Sequence, residues 1–591
     1  MRLRRLWIKH FRGIRTLDWT LPAQGRLQVL VGPGDSGKST ILDAIHYLLG
    51  DRWSIPFSDD DFYDVDVESP IAVRALLTDL TPDLLRESAF GLWLSGVDDE
   101  GQVHPEPTDD LLPGLLTQLS VDSTLEPRWS VTRHDGTSQP VSAGQRKAFS
   151  TFRVDDRTDT QLRWTRNSAL GRMSAKEGAD RRALSAASRA ARDALAQQEN
   201  SSLEELAKKV QDAANALGGG RFHDVKAGLD TSRSSMGAAL ALYEGVVPLT
   251  SYGLGSRRLM SLTVQQLATE GRAVALVDEL EHGLEPHRAV QLLRHLAADD
   301  EYAHVLVSTH SPVVVEQADL QDLATVQNRD GLVTVTSLGG DAQVLQRLQR
   351  GRPSSFLARR VVIGEGKTEH GVLLECVQHW DGERAAAGLS SAAGEGVVLQ
   401  EGAGGSEVGP RAQTMSELGY AVAGLCDNDV RTDDVGLDAA AAAGVLVVRW
   451  EDGNHIEAQV CSQIGIVGLQ SFVSLGEALR HHANTVLDDL RVQGLPAHYD
   501  TLHVETWVAE HSLDEVRAWI VAAAVQRKWF KDVDSGRALG RWIIEHYDRP
   551  GLAATTERLE RIRSFIYPPA AEDLTVPEAV AAPTDGTLAD G

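Results

Sequence analysis

A glycine-rich segment with a lysine and a serine at fixed spacing lies near the start of the chain. Within residues 30–40, LVGPGDSGKST, the spacing G-x-x-x-x-G-K-[ST] is matched by Gly32, Gly37, Lys38 and Ser39. Glycines at these positions let backbone N–H groups turn towards phosphate oxygens, while the lysine adds positive charge and the serine hydroxyl can bind Mg²⁺. An apolar run precedes the segment and a helical pattern follows it. We therefore predict a nucleotide site rather than an ordinary glycine-rich turn.

Two acidic residues and a histidine further along the chain extend this site. Asp278 and Glu279 end the apolar run RAVALVDE, and His310 follows the next apolar run in HVLVSTHSP. At the carboxyl ends of buried strands, Asp278 would hold the water shell of Mg²⁺ and Glu279 would polarise the attacking water. His310 would sense the γ-phosphate. A lone histidine is more often structural, but this one follows the D-E pair by one strand.

Carboxylates follow three apolar runs in the second half of the chain. They are Glu365 and Glu369 in VVIGEGKTE, Asp427 and Asp429 in GLCDND, and Glu457 in WEDGNHIE. Clustered carboxylates repel one another unless a cation lies among them, and oxygen ligands favour Mg²⁺ or Mn²⁺. Exposed acidic loops are the alternative, but they do not explain why each carboxylate follows an apolar strand. We predict that all five residues ligate metal, in a two-metal site able to hydrolyse a phosphodiester.

Composition restricts the classes of protein to which the chain can belong. The 591 residues suggest about three to five domains, and the net charge of -26 argues against a polybasic surface for nucleic acid. Any nucleic-acid contact must be local or metal-assisted. The three cysteines are spaced too irregularly for a zinc site or a disulfide framework. No apolar run reaches the roughly 18 residues of a membrane span, and the start resembles no signal peptide, so we expect a cytoplasmic protein without membrane contact.

The elements that must position these residues form several segments. Residues 1–31 have the pattern of a β meander, and short strands alternate with polar turns from about 70 to 165. An Ala-rich helical stretch follows, with a capping box at Ser202 and Glu205. The predicted domains are an ATPase head in two halves (1–172 and 218–350) around a helical insertion (173–217), an α/β nuclease domain (351–470), a helical region (471–567) and a disordered tail (568–591).

The motifs of the first half resemble those of ABC-type ATPase heads, and the phrase IKHFRGIRTLDW resembles the opening of RecF-like and chromosome-maintenance heads. This resemblance implies ATP as cofactor, bound between the phosphate loop of one subunit and a signature segment of another. The nearest match to that signature is YGLGSRRLMSL, where Gly253 stands in place of the usual serine. We therefore expect ATP binding without rapid hydrolysis. The predicted nucleotide-site residues are Gly32, Gly34, Asp35, Ser36, Gly37, Lys38, Ser39, Thr40, Gly253, Gly255, Asp278 and His310, with Glu279 as catalytic residue.

The pattern E-G-x-x-E, D-x-D and a later Glu resembles the Toprim domain. An ABC-type head followed by a Toprim domain resembles the OLD family of nucleases, which includes the nuclease subunit of the Gabija anti-phage system. The resemblance implies a nucleotide-regulated DNA endonuclease of α/β class, with Glu365, Asp427 and Asp429 as catalytic residues. In this family a lysine from the C-terminal helical region enters the Toprim site. Lys528 and Lys531 are the candidates in QRKWFKD, and we predict Lys531.

The same patterns leave two alternative functions open and predict a homodimer. A RecF-like DNA-binding clamp would carry a non-catalytic Toprim domain, and a regulatory subunit would act only with a helicase encoded nearby. Residues 173–217 are predicted to join two chains into a homodimer, since a helix pair gains stability by burying an apolar face. An ordinary surface helix pair is the alternative for that segment.

Overall fold

The computed structural model describes residues 1–51, 55–149, 151–155, 158–163, 168–176, 190, 242–244, 247–269, 272–298, 302–338, 342–480 and 485–569. The chain divides into two compact units, Met1–Gly339 (unit 1) and Gly340–Gly591 (unit 2). Most of the predicted insertion, 173–217, and the tail from 570 lie outside the described residues. The described helices include none long and apolar enough to cross a membrane.

Unit 1 is built on strands that alternate with short helices. Its strands are β1 Arg2–Phe11, β2 Ile14–Thr20, β3 Leu27–Val31, β4 Ile71–Thr78, β5 Leu94–Val97, β6 Val103–His104, β7 Leu112–Val121, β8 Arg128–Thr132, β9 Ser138–Pro140, β10 Thr151–Val154, β11 Tyr243–Glu244, β12 Val247–Pro248, β13 Ala273–Val277, β14 Tyr302–Ser308, β15 Leu323–Arg329 and β16 Leu332–Ser337. Its helices are α1 Lys38–Leu49, α2 Pro82–Leu85, α3 Ala143–Arg146, α4 Thr158–Gln161, α5 Ala169–Lys176, α6 Leu254–Ala268, α7 Pro286–Ala298 and α8 Pro312–Gln317.

The nucleotide site is positioned by the parallel part of one large sheet. Among the described residues the strand order is β10-β13-β14-β3-β15-β16-β2-β1-β4-β7-β5-β6, with β8 paired onto β7 and β9 onto β8. Every residue of β3, β13 and β14 is buried, as expected for parallel strands covered on both faces. The phosphate loop follows β3, and Asp278 follows β13 directly. The parallel strands therefore bring the two motifs to one edge of the sheet.

The predicted β meander over residues 1–31 is wrong in its third strand. β1 and β2 form an antiparallel hairpin, with Leu6 opposite Trp19. β3 instead pairs in parallel with β14 and β15, at the centre of the sheet. The physical reason is its composition, because LQVLV has no polar alternation and fits a strand buried on both faces.

Unit 2 consists of a small parallel sheet and many helices. Its strands are β17 Arg360–Gly364, β18 Val397–Glu401, β19 Ala421–Cys426 and β20 Leu446–Arg449, in the order β18-β17-β19-β20. Its helices are α9 Ala342–Gly351, α10 Lys367–Ala386, α11 Gly405–Glu417, α12 Asp434–Ala442, α13 Ile456–Cys461, α14 Ile466–Arg480, α15 Thr485–Val492, α16 Val504–Val508, α17 Leu513–Gln526, α18 Val533–Glu545 and α19 Ala553–Ile566. Helix α9 belongs to this unit, whereas the sequence placed residues up to 350 in the ATPase head.

One hydrophobic core joins the sheet of unit 2 to its C-terminal helices. It runs from Val362 and Leu425 on the strands to Trp507 and Phe530 in the helical region. The predicted nuclease domain and helical region therefore share a core, although the sequence divided them at residue 470. This shared core holds the carboxyl ends of β17 and β19 against the segment that carries Lys531.

Candidate functional sites

The phosphate loop adopts a backbone that only glycine fits at two positions. Gly32 has φ 153°, and a Cβ there would lie 2.3 Å from the carbonyl oxygen of Val326. Gly37, with φ 96°, caps the start of α1 in the left-handed region. Of the remaining predicted loop residues, Gly34 and Asp35 are exposed, Ser36 is buried and Thr40 is half-buried. The spacing of glycines read from the sequence therefore has a steric cause.

Lys38 lies inside its own loop. Its Nζ donates to the carbonyl oxygens of Gly32 at 3.0 Å and Pro33 at 2.7 Å, and to Ser36 Oγ at 3.1 Å. The residue is only 4% exposed, and burial lowers the pKa of its ammonium group to about 8. Because an ammonium group has three donors, a bound triphosphate would have to replace these contacts with its own oxygens.

The carboxylate of Asp278 accepts hydrogen bonds from three side chains at this site. Its Oδ1 accepts from Ser39 Oγ at 2.9 Å and from Ser308 Oγ at 2.5 Å, and its Oδ2 accepts from Arg153 Nη2 at 2.7 Å. Burial opposes ionisation, but the Ser308 hydrogen bond and the Arg153 charge outweigh it and lower the pKa of Asp278. Ser39 and Asp278, each predicted separately to serve Mg²⁺, are thus in direct contact. Sequence reasoning missed Ser308 and Arg153, which also pairs with Asp43.

The acidic residues after Asp278 have different positions. Glu279 has a left-handed backbone (φ 47°), and its half-exposed side chain lies 3.2 Å from His282 Nδ1. Glu281, which the sequence analysis overlooked, accepts from Thr309 Oγ1 at 2.7 Å and from the backbone N–H of His310 at 2.6 Å. Glu281 therefore fixes the loop that carries His310. Burial and the nearby Lys38 charge lower the pKa of His310, which favours the neutral imidazole.

The two signature glycines differ in their surroundings. A Cβ on Gly255 would lie 2.3 Å from the carbonyl oxygen of Gly283, so Gly255 permits close packing within the same chain. Gly253 precedes α6, and an added Cβ there would meet nothing within 4 Å. The side chain of Arg258, one turn further along α6, is buried and donates to the carbonyl oxygen of Asp278. Of the two glycines, Gly253 alone leaves room for another molecule.

In unit 2, Glu365 and Glu369 lie at the junction of β17 and α10. Glu365 Oε2 accepts from the backbone N–H of Asp427 at 2.7 Å, which ties the ends of β17 and β19 together. Glu369 Oε2 accepts from the N–H of Gly366 at 2.9 Å, as a capping residue does. Its other oxygen, Oε1, is buried without a hydrogen-bond partner, and the residue is 2% exposed.

Asp427, Glu457 and Asp429 complete the predicted set in different ways. Asp427 Oδ1 accepts from the N–H of Ile456 at 3.1 Å, at the start of α13. Glu457 is 0% exposed, and neither of its carboxylate oxygens accepts a hydrogen bond, although Oε2 lies 3.2 Å from His455 Nδ1, which itself accepts from the N–H of Ala458. Asp429 is exposed. The alternation of D-N-D predicts that both aspartates point the same way, but the chain leaves the strand at Asp427 and only this one turns into the buried cluster.

Burial and mutual repulsion shift the acidity of this cluster. Burial, with Asp429 and Asp433 nearby, raises the pKa of Glu365. Burial and the other carboxylates also raise the pKa of Glu369 and of Asp427. Glu457 is the exception, because contact with His455 and the charge of Lys531 overcome its burial and lower its pKa. Buried carboxylates that resist ionisation in this way would be stabilised as anions by a cation among them.

Lys531 is the cation that the chain itself supplies. Its Nζ lies 4.0 Å from Glu457 Oε1, and Glu457, Glu369 and Asp427 overcome the effect of burial to raise the pKa of Lys531. Thr368 Oγ1 donates to the carbonyl oxygen of the preceding Phe530 at 2.7 Å. Between the two lysines considered from the sequence, Lys531 is the one that the structure brings beside the carboxylates.

Three glycines hold the helix after Lys531 close to the helix that carries Glu369. A Cβ on Gly371 would lie 2.4 Å from Val533 O, and one on Gly536 would lie 2.7 Å from Thr368 O. A Cβ on Gly540 would approach Val372 and Glu375 to 3.0 Å. Helices α10 and α18 therefore cross with their backbones nearly in contact. Sequence reasoning missed this crossing, although small residues at Gly536 and Gly540, four apart, were a signal for it.

The donor set suits a hard divalent cation. Mg²⁺ usually keeps several waters and binds one or two carboxylates together with substrate phosphates. Oε1 of Glu369 and both carboxylate oxygens of Glu457 accept no hydrogen bond, so they are available as oxygen ligands for such an ion. Across the described ranges, no three His, Cys, Asp or Glu side chains converge into a closed ligand set. Metal binding here would thus require the carboxylates to change their rotamers and would draw further oxygens from water or substrate.

Comparison with known proteins finds similarities to ATPases and to a nuclease. Residues 128–316 match the family described as "AAA domain", whose description also names the AbiEii toxin and a type IV TA system. A protein named OLD nuclease from Thermus scotoductus is 35% identical over 115 residues, which are 18% of this chain and 21% of that protein. The match thus spans about a fifth of the relative's length. The chain is thus similar to an ATPase domain over residues 128–316, which include Asp278 and His310, and over a shorter stretch to a protein named OLD nuclease.

Similar solved structures include heads of chromosome-maintenance proteins. The SMC head domain from Thermotoga maritima is 17% identical, with a TM-score of 0.27 over 57% of this chain and 100% of that one. An Smc head domain with an extended coiled coil, bound to the C-terminal domain of ScpA from Pyrococcus furiosus, is 14% identical. Its TM-score is 0.33, over 59% of this chain and 99% of that one.

Proposed function

We propose that this protein is a nucleotide-regulated, metal-dependent DNA endonuclease that acts in anti-phage defence or DNA processing. The observation that carries the proposal is the carboxylate cluster, in which Glu369 and Glu457 are buried and Glu365 and Asp427 half-buried, with Lys531 beside it. A structural domain has no need to bury carboxylates that repel one another, since each costs free energy unless a cation compensates it. The partial match to a protein named OLD nuclease supports the same reaction class.

The chain's own residues would share the work of phosphodiester hydrolysis. Glu365, Asp427, Glu457 and the more exposed Asp429 would ligate Mg²⁺ or Mn²⁺, with Glu369 completing the set. A metal held there supplies an activated water and Lewis-acid stabilisation of the phosphate oxygens. Lys531 would add a fixed positive charge where negative charge develops on the phosphate or the leaving oxygen. Its proximity to Glu457 fits this role.

The nucleotide site would regulate this reaction. Lys38 would transfer its contacts from the loop carbonyls to the β and γ phosphates of ATP, and Ser39 with Asp278 would hold Mg²⁺. Glu279 would polarise the attacking water, and His310 would sense the γ-phosphate, a role that its nearness to Lys38 supports. Because Gly253 replaces the usual serine of the signature, slow turnover is expected. ATP would then act mainly as a bound signal, in a homodimer that could also work with a helicase partner.

Cleavage of plasmid DNA tests the proposal. Wild-type protein should nick or cut plasmid in Mg²⁺ or Mn²⁺, and Asp427→Ala should lose this activity because it removes a buried ligand. Asp548→Ala, at an exposed position of unit 2, serves as the control. Equal cleavage by the wild type and Asp427→Ala would sink the proposal. DNA binding without nicking under any metal would favour the RecF-like clamp instead.

A further inference from the structure

A cavity of about 740 Å³ in unit 2 is lined by basic side chains. Its walls are α9 and the residues after it, the start of α10, the end of β18 with the loop after it, and Arg411 of α11. None of the predicted metal ligands is among the described residues that line it. The basic lining residues are Arg347, Arg350, Arg352, His370 and Arg411.

The charge of this cavity is opposite to that of the whole protein. Two acidic groups offset part of it: Glu401 lies in the wall, and Glu407 pairs with Arg347 at 2.6 Å and with Arg411 at 3.6 Å. Among the described residues, four arginines against two glutamates leave an excess of positive charge, within a chain of net charge -26. A concave site of one sign concentrates ligands of the other sign.

Arg411 places a buried donor without an acceptor in the cavity wall. The residue is only 8% exposed, and its Nε–H has no hydrogen-bond partner. Nδ1 of His370, another lining residue, is also buried without a partner. Buried polar groups in folded proteins are nearly always paired, so an unpaired guanidinium N–H at a cavity wall indicates a ligand that supplies an oxygen. Arginine is well suited to phosphate, because its planar group can donate two parallel hydrogen bonds.

The cavity and the carboxylate cluster share the same loop connections. Glu401, in the cavity wall, is the register partner of Gly364, which directly precedes Glu365. The N–H of Gly404, next to the lining residue Ala403, donates to the carbonyl oxygen of Glu365 at 2.9 Å. A strand whose phosphate lies at the carboxylates therefore has this cavity within reach of its neighbouring phosphates.

We propose that this cavity binds phosphate groups of the DNA strand that flank the cleaved bond. This inference rests on the proposed nuclease function and adds the substrate-binding surface that the acidic composition leaves unexplained. Arg350 and Arg352, both exposed at the end of α9, meet the phosphates first, and the buried Arg411 binds one from within. Because these contacts are made to the DNA backbone, they add affinity without sequence preference.

DNA affinity as a function of salt tests the inference on the full-length chain. A labelled duplex is titrated with protein in Ca²⁺ instead of Mg²⁺, and fluorescence anisotropy gives the dissociation constant between about 50 and 200 mM salt. Arg350→Glu is expected to weaken binding about tenfold at low salt and to reduce the slope of log K against log salt by about 1. Arg561→Glu, with the same charge change at an exposed position of α19, is the matched control and should change neither.

Further variants make the outcomes distinct. Arg411→Gln should weaken binding in the same direction, and its melting temperature shows whether it folds; the exposed Arg350 carries the test if it does not. Equal affinity and slope for Arg350→Glu and Arg561→Glu would overturn the inference. The inference would also be overturned if Arg350→Glu left DNA affinity unchanged but abolished pyrophosphate binding, because the cavity would then take free phosphates. Calorimetry measures pyrophosphate binding in a Lys38→Ala background, which removes the phosphate-loop lysine. Absence of cleavage by the wild type in Mg²⁺ and Mn²⁺ would instead count against the nuclease function, since affinity is measured without cleavage.

Discussion

At the scale of single residues, the two sites use opposite charge arrangements. Lys38 is a buried cation that donates to neutral carbonyl oxygens, so burial lowers its pKa. Lys531 is an exposed cation beside carboxylates, which raise its pKa against the opposing effect of desolvation. A bound phosphate would give Lys38 an anionic partner in place of these neutral oxygens. Lys531 already has carboxylates as neighbours. It would interact strongly with a phosphate only when a bound metal ion neutralises the charge of those carboxylates.

Lys531→Met is expected to lower the rate of DNA cleavage by about 10²-fold or more, because it removes a fixed charge from the reacting phosphate. The rate is measured on supercoiled plasmid at saturating Mg²⁺. Lys528→Met, three residues earlier, is the matched control, since no ion pair between Lys528 and the carboxylate cluster is found within the described residues. Comparable cleavage rates for the two variants would remove Lys531 from the mechanism.

At the scale of elements, local patterns predicted the strand ends but not the contacts between distant helices. Glu365, Asp427 and Glu457 each follow an apolar strand, and parallel pairing brings such ends together. The sequence could not show that Asp427 turns inward while Asp429 remains exposed, because the turn after β19 depends on its bonds to other loops. Asn428 makes two of them, to the carbonyl oxygens of Asn454 and Trp450.

The crossing of α10 and α18 gives a prediction at this scale. Gly536→Ala should destabilise unit 2 by about 1–3 kcal/mol, since its Cβ would lie 2.7 Å from Thr368 O and the helices would have to separate. Separation would also move Lys531, so cleavage should fall with stability. Urea unfolding followed by tryptophan fluorescence gives the first quantity and plasmid cleavage the second.

Helix α10 supplies the control for this substitution. A Cβ added at Gly382, within α10, would meet nothing within 4 Å, so Gly382→Ala should be neutral or stabilising by up to about 1 kcal/mol. If Gly536→Ala behaved like Gly382→Ala, the helices would not be held by close backbone contact.

At the scale of the whole molecule, pH acts on the core of unit 1 through His304. This histidine is buried in β14, and its Nδ1 accepts from the N–H of Leu3 at 3.2 Å. Burial, with the charges of Arg2 and the N-terminus, lowers its pKa from 6.5 to about 3. The folded state therefore keeps the neutral ring, and the unfolded chain alone gains a proton between those two values. Stability is fully present above about pH 6.5 and is lost as pH falls below it, by up to about 1.4 kcal/mol per pH unit.

Urea unfolding at about pH 7.5, 6.5 and 5.5, values that bracket the ordinary histidine pKa, checks this dependence. The wild type should lose stability over the lower interval, and His304→Gln, which keeps an acceptor for Leu3, should lose less. His287→Gln changes an exposed histidine on α7 and is expected to follow the wild type. Parallel curves for His304→Gln and the wild type would show that another group titrates.

The predicted nucleotide site needs residues from two chains, so we predict a homodimer. ATP in an ABC-type head would lie between Lys38 of one subunit and the segment that begins at Gly253 of another, and the open space at Gly253 allows such an approach. Residues 173–217, predicted as helices, would hold the chains together without nucleotide, because their apolar faces gain stability by packing against a partner.

Light scattering should therefore show a dimer of the full chain without ATP. Replacing 173–217 by a short Gly/Ser linker should yield monomers, and either a monomeric full chain or a dimer that survives the replacement would contradict this arrangement.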